Sequence, residues 1–141
     1  MPTLALDSNV FIAALSGREQ HSAIAQHLIR AIARGDYKAL ASSVVFGEVL
    51  SINSQPHTLD LSGFFALIPY LTTVPADDVV CVKAGQLRAD YSKSLRLPDA
   101  LHLATALFAN ADIFITNDKK LATVAIEIIP TVLLADWLVG K

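Results

Sequence analysis

Apolar residues in this chain fall into short runs separated by polar turns, and the runs alternate between two kinds. Leu4-Ala5-Leu6 is brief and stops at Asp7-Ser8-Asn9, which predicts a buried strand ending in a turn. Val10 to Leu15 continues as a short apolar helix that Gly17 breaks. Residues 18–34 are amphipathic: Ile24, Leu28, Ala31 and Ile32 share one stripe, Glu19, Gln26, Arg30 and Arg34 the wet side, and Gly35 is a stop signal. His21 and His27 in this helix read as solvated residues. Residues 37–42 form a second strand, and Ser43 is placed to cap a helix over 44–52. Gln55-Pro56-His57 is a turn, and Leu61, Phe64, Phe65 and Ile68 mark a helix closed before Pro69. A third strand covers 71–74, then Asp77 or Asp78 caps a helix with Val80, Ala84, Leu87 and Tyr91 at helical spacing. The stretch 95–108 is apolar at almost every position, so its helix is expected to be buried nearly all round, with Pro98 at its start, where a missing N–H costs nothing. A fourth strand at 113–116 follows the turn Asn110-Ala111-Asp112. A short helix from Lys119, a last strand at 127–129 stopped by Pro130, and a short terminal helix or turn at 136–138 with Trp137 as packing anchor complete the pattern.

Strands that alternate with helices predict an α/β fold, a three-layer αβα sandwich around a central parallel sheet of about five strands. Composition narrows this. The chain of 141 residues suits one domain spanning 1–141, and its 53% hydrophobic content leaves apolar surface for a homodimer or partner interface. No apolar run is long enough to span a membrane, and no basic leader precedes Leu4, so a cytoplasmic protein is expected. A single cysteine, Cys81, rules out an internal disulfide and a cysteine zinc cluster; among Val79, Val80 and Val82 it reads as a small buried hydrophobe. A net charge of −2 gives no bulk attraction to nucleic acid, so any such binding needs a local basic patch.

Four acids stand out from this background. Asp7 and Asp118 each follow a strand, at the edge where parallel sheets bind ligands. Glu48 has Val44, Val45 and Ile52 as helical neighbours, and a carboxylate on an apolar face is costly unless paired or metal-bound. Asp99 opens the most apolar helix. Each has a plain structural explanation, as cap or solvated residue, but the topology can gather all four. Two carboxylates about 4 Å apart repel by about 4 kcal/mol at an effective dielectric of 20, so a gathered cluster requires a proton or a cation. Oxygen ligands without His or Cys suit Mg²⁺ or Mn²⁺, and such an ion can activate water for phosphodiester hydrolysis. No glycine-rich phosphate loop, Ser-His-Asp ordering or zinc spacing competes.

From Leu4 to about Leu138 the chain resembles the PIN-domain ribonucleases, specifically toxins of the VapC type. The resemblance rests on Leu6-Asp7-Ser8-Asn9-Val10, on Ser43 followed by Glu48, on Leu95-Arg96-Leu97-Pro98-Asp99-Ala100-Leu101-His102-Leu103-Ala104-Thr105-Ala106, and on Ile115-Thr116-Asn117-Asp118-Lys119-Lys120-Leu121. It implies that Asp7, Glu48, Asp99 and Asp118 form the family's metal-binding catalytic quartet, with Asn9 and Thr116 supporting the metal shell and its water. It further implies Mg²⁺- or Mn²⁺-dependent cleavage of RNA, homodimers, and inhibition by a cognate antitoxin. No further acid stands beside Asp118, which puts a second metal in doubt. The basic residues placed near the edge are Arg88, Lys93, Arg96, Lys119 and Lys120, with ordinary solvated surface as their plain reading. Two other readings compete: a receiver-like phospho-switch built on Asp7, Thr116 and a nearby lysine, and a catalytically silent PIN fold acting as a binding module. A receiver needs paired acids after the first strand and an acceptor Asp after the third, where this chain has Val74-Pro75-Ala76.

Overall fold

The computed structural model describes residues 1–18, 20–52, 60–91 and 94–137, without the side chain of Ile52. Five strands, β1 (Thr3–Leu6), β2 (Lys38–Ser42), β3 (Leu71–Val74), β4 (Ile113–Thr116) and β5 (Thr131–Leu133), form one sheet in the order β3-β2-β1-β4-β5. Every pairing is parallel, with Leu4 opposite Ala39 on one side and Ile113 on the other. Successive strand side chains point to opposite faces. Leu4, Leu6, Ala39, Ala41 and Ile115 therefore enter one core, and Ala5, Leu40 and Phe114 the other.

The helices follow the same division. Helices α1 (Ser8–Ser16), α2 (Ser22–Ala33), α3 (Val44–Ile52) and α4 (Leu61–Ala66) supply Val10, Phe11, Leu28, Ile32, Val45 and Phe65 to the first core. Helices α5 (Asp78–Tyr91), α6 (Leu97–Phe108) and α7 (Lys119–Ala125) supply Val80, Ala84, Leu87, Leu103 and Leu121 to the second. The outcome is the three-layer sandwich expected from the alternation. The order also answers the receiver reading. In receiver-type sheets the third strand neighbours the first; here β3 is an outer strand and β1 lies between β2 and β4.

Several local expectations are corrected. The last strand is not 127–129: Ile126, Ile128 and Ile129 keep bonding back to Ala122 and Ala125, continuing the turn of α7. Pro130 is not its end but its threshold, because Pro130 lacks a donor yet accepts from the Phe114 N–H, and β5 begins one residue later at the sheet edge. Helix α2 starts at Ser22 instead of residue 18. The Ser43 hydroxyl oxygen accepts from the Ala76 N–H beyond β3, and Ser42 accepts from the Val44 N–H in its place. Cys81 is exposed, because the core face of α5 is the stripe of Val80, Ala84, Leu87 and Tyr91, and Cys81 lies off it. Helix α6 is wetter at its ends than its apolar content implies: Leu97 and Phe108 are exposed. The turn at 55–57, Glu19, Lys93 and Leu138 lie outside the described residues. Trp137 is buried and packs edge-on against Tyr37 with ring centroids 5.2 Å apart, the anchoring role expected of it. No helix among the described residues is long and apolar enough to cross a membrane.

Candidate active site

The chain runs outward from β1 to β2 and β3, then returns to the far side of β1 for β4. The β1–β4 boundary is therefore the switch point of the sheet, where diverging connections leave a crevice at the carboxyl ends of the strands. Asp7 and Thr116 stand directly at that point. The Asp7 N–H extends the β1–β4 ladder by donating to the Ile115 carbonyl at 3.0 Å. Asp7 then caps α1, its Oδ1 accepting from Ser8 N–H at 2.7 Å, while its Oδ2 accepts from the Thr116 hydroxyl at 2.7 Å. Asp7 is only 3% exposed, and Thr116 is fully buried.

Thr116 is the joint of the site. Its hydroxyl donates to Asp7 and accepts from Asn9 Nδ2 at 3.3 Å and from Asp118 N–H at 3.1 Å. One donor and two lone pairs are then all engaged, so Thr116 positions its neighbours and has no lone pair left for an ion. Asn9 completes the stitch, its Oδ1 accepting from Asn117 N–H at 2.9 Å. Asp118 caps α7 through Oδ1, which accepts from the N–H groups of Lys120 and Leu121. The capping explanation of Asp118 thus holds, and it does not remove the residue from the edge.

Glu48 and Asp99 arrive from opposite layers, on α3 and α6. Asp99 lies in the first turn of α6, its side chain 14% exposed and its Oδ2 3.5 Å from the exposed guanidinium of Arg96. Burial pushes its carboxyl above the ordinary range, and the charges of Asp7 and Asp118 push the same way against Arg96 and His102. The apolar neighbours of Glu48 do keep it from full solvation, but its partner is one that the apolar pattern of α6 hid. His102, 2% exposed, places Nε2 2.6 Å from Glu48 Oε1 and 3.6 Å from Asp7 Oδ1. Asp99 and His102 are three apart on α6 and so share a face. A histidine amid the apolar residues of α6, one turn beyond a suspect acid, is the signal that could have found it.

The electrostatics follow from that geometry. Burial acts to lower His102, but the hydrogen bond to Glu48 and the charge of Asp7 outweigh it and hold the imidazole above its usual value. Burial acts to raise Glu48, but His102, with help from the Ser8 hydroxyl, holds that carboxyl below its usual value. For Asp7 burial prevails over His102, Thr116 and Ser8, and its carboxyl is raised. Of the basic residues expected near the edge, Arg88 serves the backbone, donating from Nε to the Leu95 carbonyl at 2.9 Å, while Arg96, Lys119 and Lys120 are exposed.

The donor chemistry fits a hard divalent cation: carboxylate oxygens from four elements, two of them with pKa values raised by unrelieved negative charge or burial. Among the described residues, no three acidic, histidine or cysteine side chains converge closely enough to hold a metal ion as they stand. His102 instead occupies the approach between Glu48 and Asp7.

Comparison with known proteins places the chain. No curated protein sequence matches it. The fold is shared with a toxin–antitoxin complex from Klebsiella pneumoniae, at 24% identity and TM-score 0.61 over 85% of this chain and 88% of that one. It is shared with VapBC2 from Rickettsia felis bound to a DNA fragment from the promoter, at 17% identity and TM-score 0.67 over 94% and 98%. It is shared also with VapC20 from Mycobacterium tuberculosis, a sarcin–ricin loop cleaving toxin, at 12% identity and TM-score 0.62 over 86% and 93%. The PIN-domain profile matches residues 4–127, so the chain belongs to the PIN-domain family.

Proposed function

We propose that this protein is a metal-dependent endoribonuclease that hydrolyses RNA phosphodiester bonds, the toxin of a toxin–antitoxin pair. The observation that carries the reading is Asp7, a buried carboxylate at the sheet switch point with Asp118, Asp99 and Glu48 at the same edge. Asp7, Glu48, Asp99 and Asp118 would hold Mg²⁺ or Mn²⁺, which when bound supplies Lewis acidity and an activated water. The chain's own residues do the rest. Thr116 and Asn9 fix Asp7 and the loop into α7, so that two of the acids keep one spacing. Arg96, beside Asp99, and the exposed Lys119 and Lys120, next along the chain from Asp118, offer point charges to backbone phosphates of a substrate strand. RNA as substrate and an antitoxin as inhibitor are supported by the toxin and toxin–antitoxin proteins that share the fold. A homodimer, in a cytoplasmic setting, completes the proposal; exposed Val79 and Val82 on α5 are the kind of surface that a second copy could cover.

The test is cleavage of an end-labelled structured RNA with Mg²⁺, with Mn²⁺ and with excess EDTA. Metal-dependent products with 5′-phosphate and 3′-hydroxyl ends are expected. Cleavage that survives EDTA, or 2′,3′-cyclic phosphate ends, would overturn the metal-activated route.

A further inference from the structure

Of the four acids, Glu48 alone has no local restraint. Asp7 and Asp118 are tied to the N–H groups of the helices they cap, and Asp99 sits beside Arg96 in the first turn of α6. Glu48 lies in mid-helix at the end of three rotatable bonds, with its side chain 26% exposed. Left alone, such a side chain gains rotamer freedom and hydration by turning to water. What turns it inward is chiefly the His102 contact at 2.6 Å, with the Ser8 hydroxyl assisting.

We propose that His102 is the positioning residue of this site: its buried Nε2–H holds the Glu48 carboxylate turned toward Asp7, so that Glu48 serves as a ligand. The role rests on the reading of this edge as a divalent-cation site. Carboxylate oxygens of ionised acids only accept, so Nε2 facing Glu48 and Asp7 must donate, whatever the charge of the ring. The ring comes from the opposite layer of the sandwich, on α6, and is buried there, so its direction is set by core packing. Its Nδ1 is buried without a hydrogen-bond partner. All its polar contacts therefore lie toward the acidic edge. Histidine Nε2 bridging two layers is thus a fixed donor aimed at the least tethered of the four acids, as partners of ligating carboxylates are elsewhere.

The experiment compares Mn²⁺ binding, read from the free-ion resonance at fixed pH, for the full chain and for His102→Leu and His102→Gln. The Leu variant should bind Mn²⁺ about tenfold to a hundredfold more weakly. The Gln variant, whose amide N–H reaches about as far as Nε2, should recover most of that loss. Glu48→Gln should weaken binding in the wild-type background and add little in the Leu background. A folded Leu variant with wild-type affinity, or a Glu48→Gln cost equal in both backgrounds, overturns the positioning role. Should the Leu variant not fold, the wild-type ring decides in long-range ¹H–¹⁵N spectra. There, Glu48→Gln should shift the Nε2 resonance, and indifference to it overturns the role. A wild-type chain that binds no Mn²⁺ overturns the metal reading and this role with it, whereas wild-type binding with silent His102 variants overturns the role alone.

Discussion

At the residue scale, Asp99 tests whether the acids act together. As a helix-start residue alone, Asp99 contributes a dipole interaction of about 0.3–1 kcal/mol, which Asp99→Asn would forfeit. The raised carboxyl of Asp99 says that burial and the charges of Asp7 and Asp118 already act against its ionised form, with Arg96 only partly offsetting them. Removing that charge should therefore stabilise the metal-free protein, by an amount on the order of 1 kcal/mol, while RNA cleavage falls by about a hundredfold or more. Urea unfolding in EDTA beside the cleavage assay checks both. A variant that loses stability and still cuts would reduce Asp99 to a cap. The four acids were legible in the sequence because each breaks an apolar pattern or ends a strand. His102 was not, because a half-polar ring inside an apolar helix reads equally well as core, and only the packing of α6 against α3 shows what its Nε2 faces.

At the element scale, the strands that straddle the switch point were legible, since the runs at 4–6 and 113–116 are apolar or β-branched and bounded by turn residues. The failure at β5 has a physical cause. Glu127-Ile128-Ile129 looks more strand-like than Thr131-Val132-Leu133, but the N–H groups of Ile128 and Ile129 are already held by α7, and only beyond Pro130 is the backbone open to pair with β4. Burial of Cys81 failed because a run of apolar residues carries no phase, whereas a helix does. Two glycines should show how far local backbone demands set element stability. Gly17 closes α1 at φ 66, and Gly85 lies inside α5; nothing within 4 Å would meet a Cβ at either. Gly17→Ala should cost about 1–2 kcal/mol from left-handed strain alone, while Gly85→Ala should add about 0.5–1 kcal/mol of helix propensity. Urea midpoints of opposite displacement are the expected result, and shifts of the same sign would show that tertiary context governs both.

At the scale of the whole molecule, the acidic edge couples folding to protons and, on the proposed function, to a divalent ion. The imidazole of His102, raised above 6.5 by Glu48 and Asp7, stabilises the fold fully below its unfolded value and loses that contribution as pH rises through the folded one. Asp7 and Asp99, both raised above 3.8, cost stability once they ionise, which again happens as pH rises. Glu48 runs the other way: lowered from 4.5, its contribution is present above that value and lost as pH falls through the lowered one. From mildly acid to mildly alkaline solution the Glu48 contribution is already complete, so the remaining groups all act in one direction. In EDTA the urea midpoint should therefore fall as pH rises past the unfolded histidine value of 6.5. Excess Mg²⁺ should reverse the trend, because its ligands must be deprotonated to bind and the alkaline side supplies them. At a fixed concentration that is about a hundred times the dissociation constant at the acid end, the ion adds about 2.7 kcal/mol there, and more at the alkaline end where it binds more tightly. Equal increments at both ends, on a flat EDTA profile, would mean that these carboxylates neither repel one another in the folded chain nor share an ion. The same carboxylates would then be four separate caps and surface groups, and the switch-point crevice would have no acidic centre.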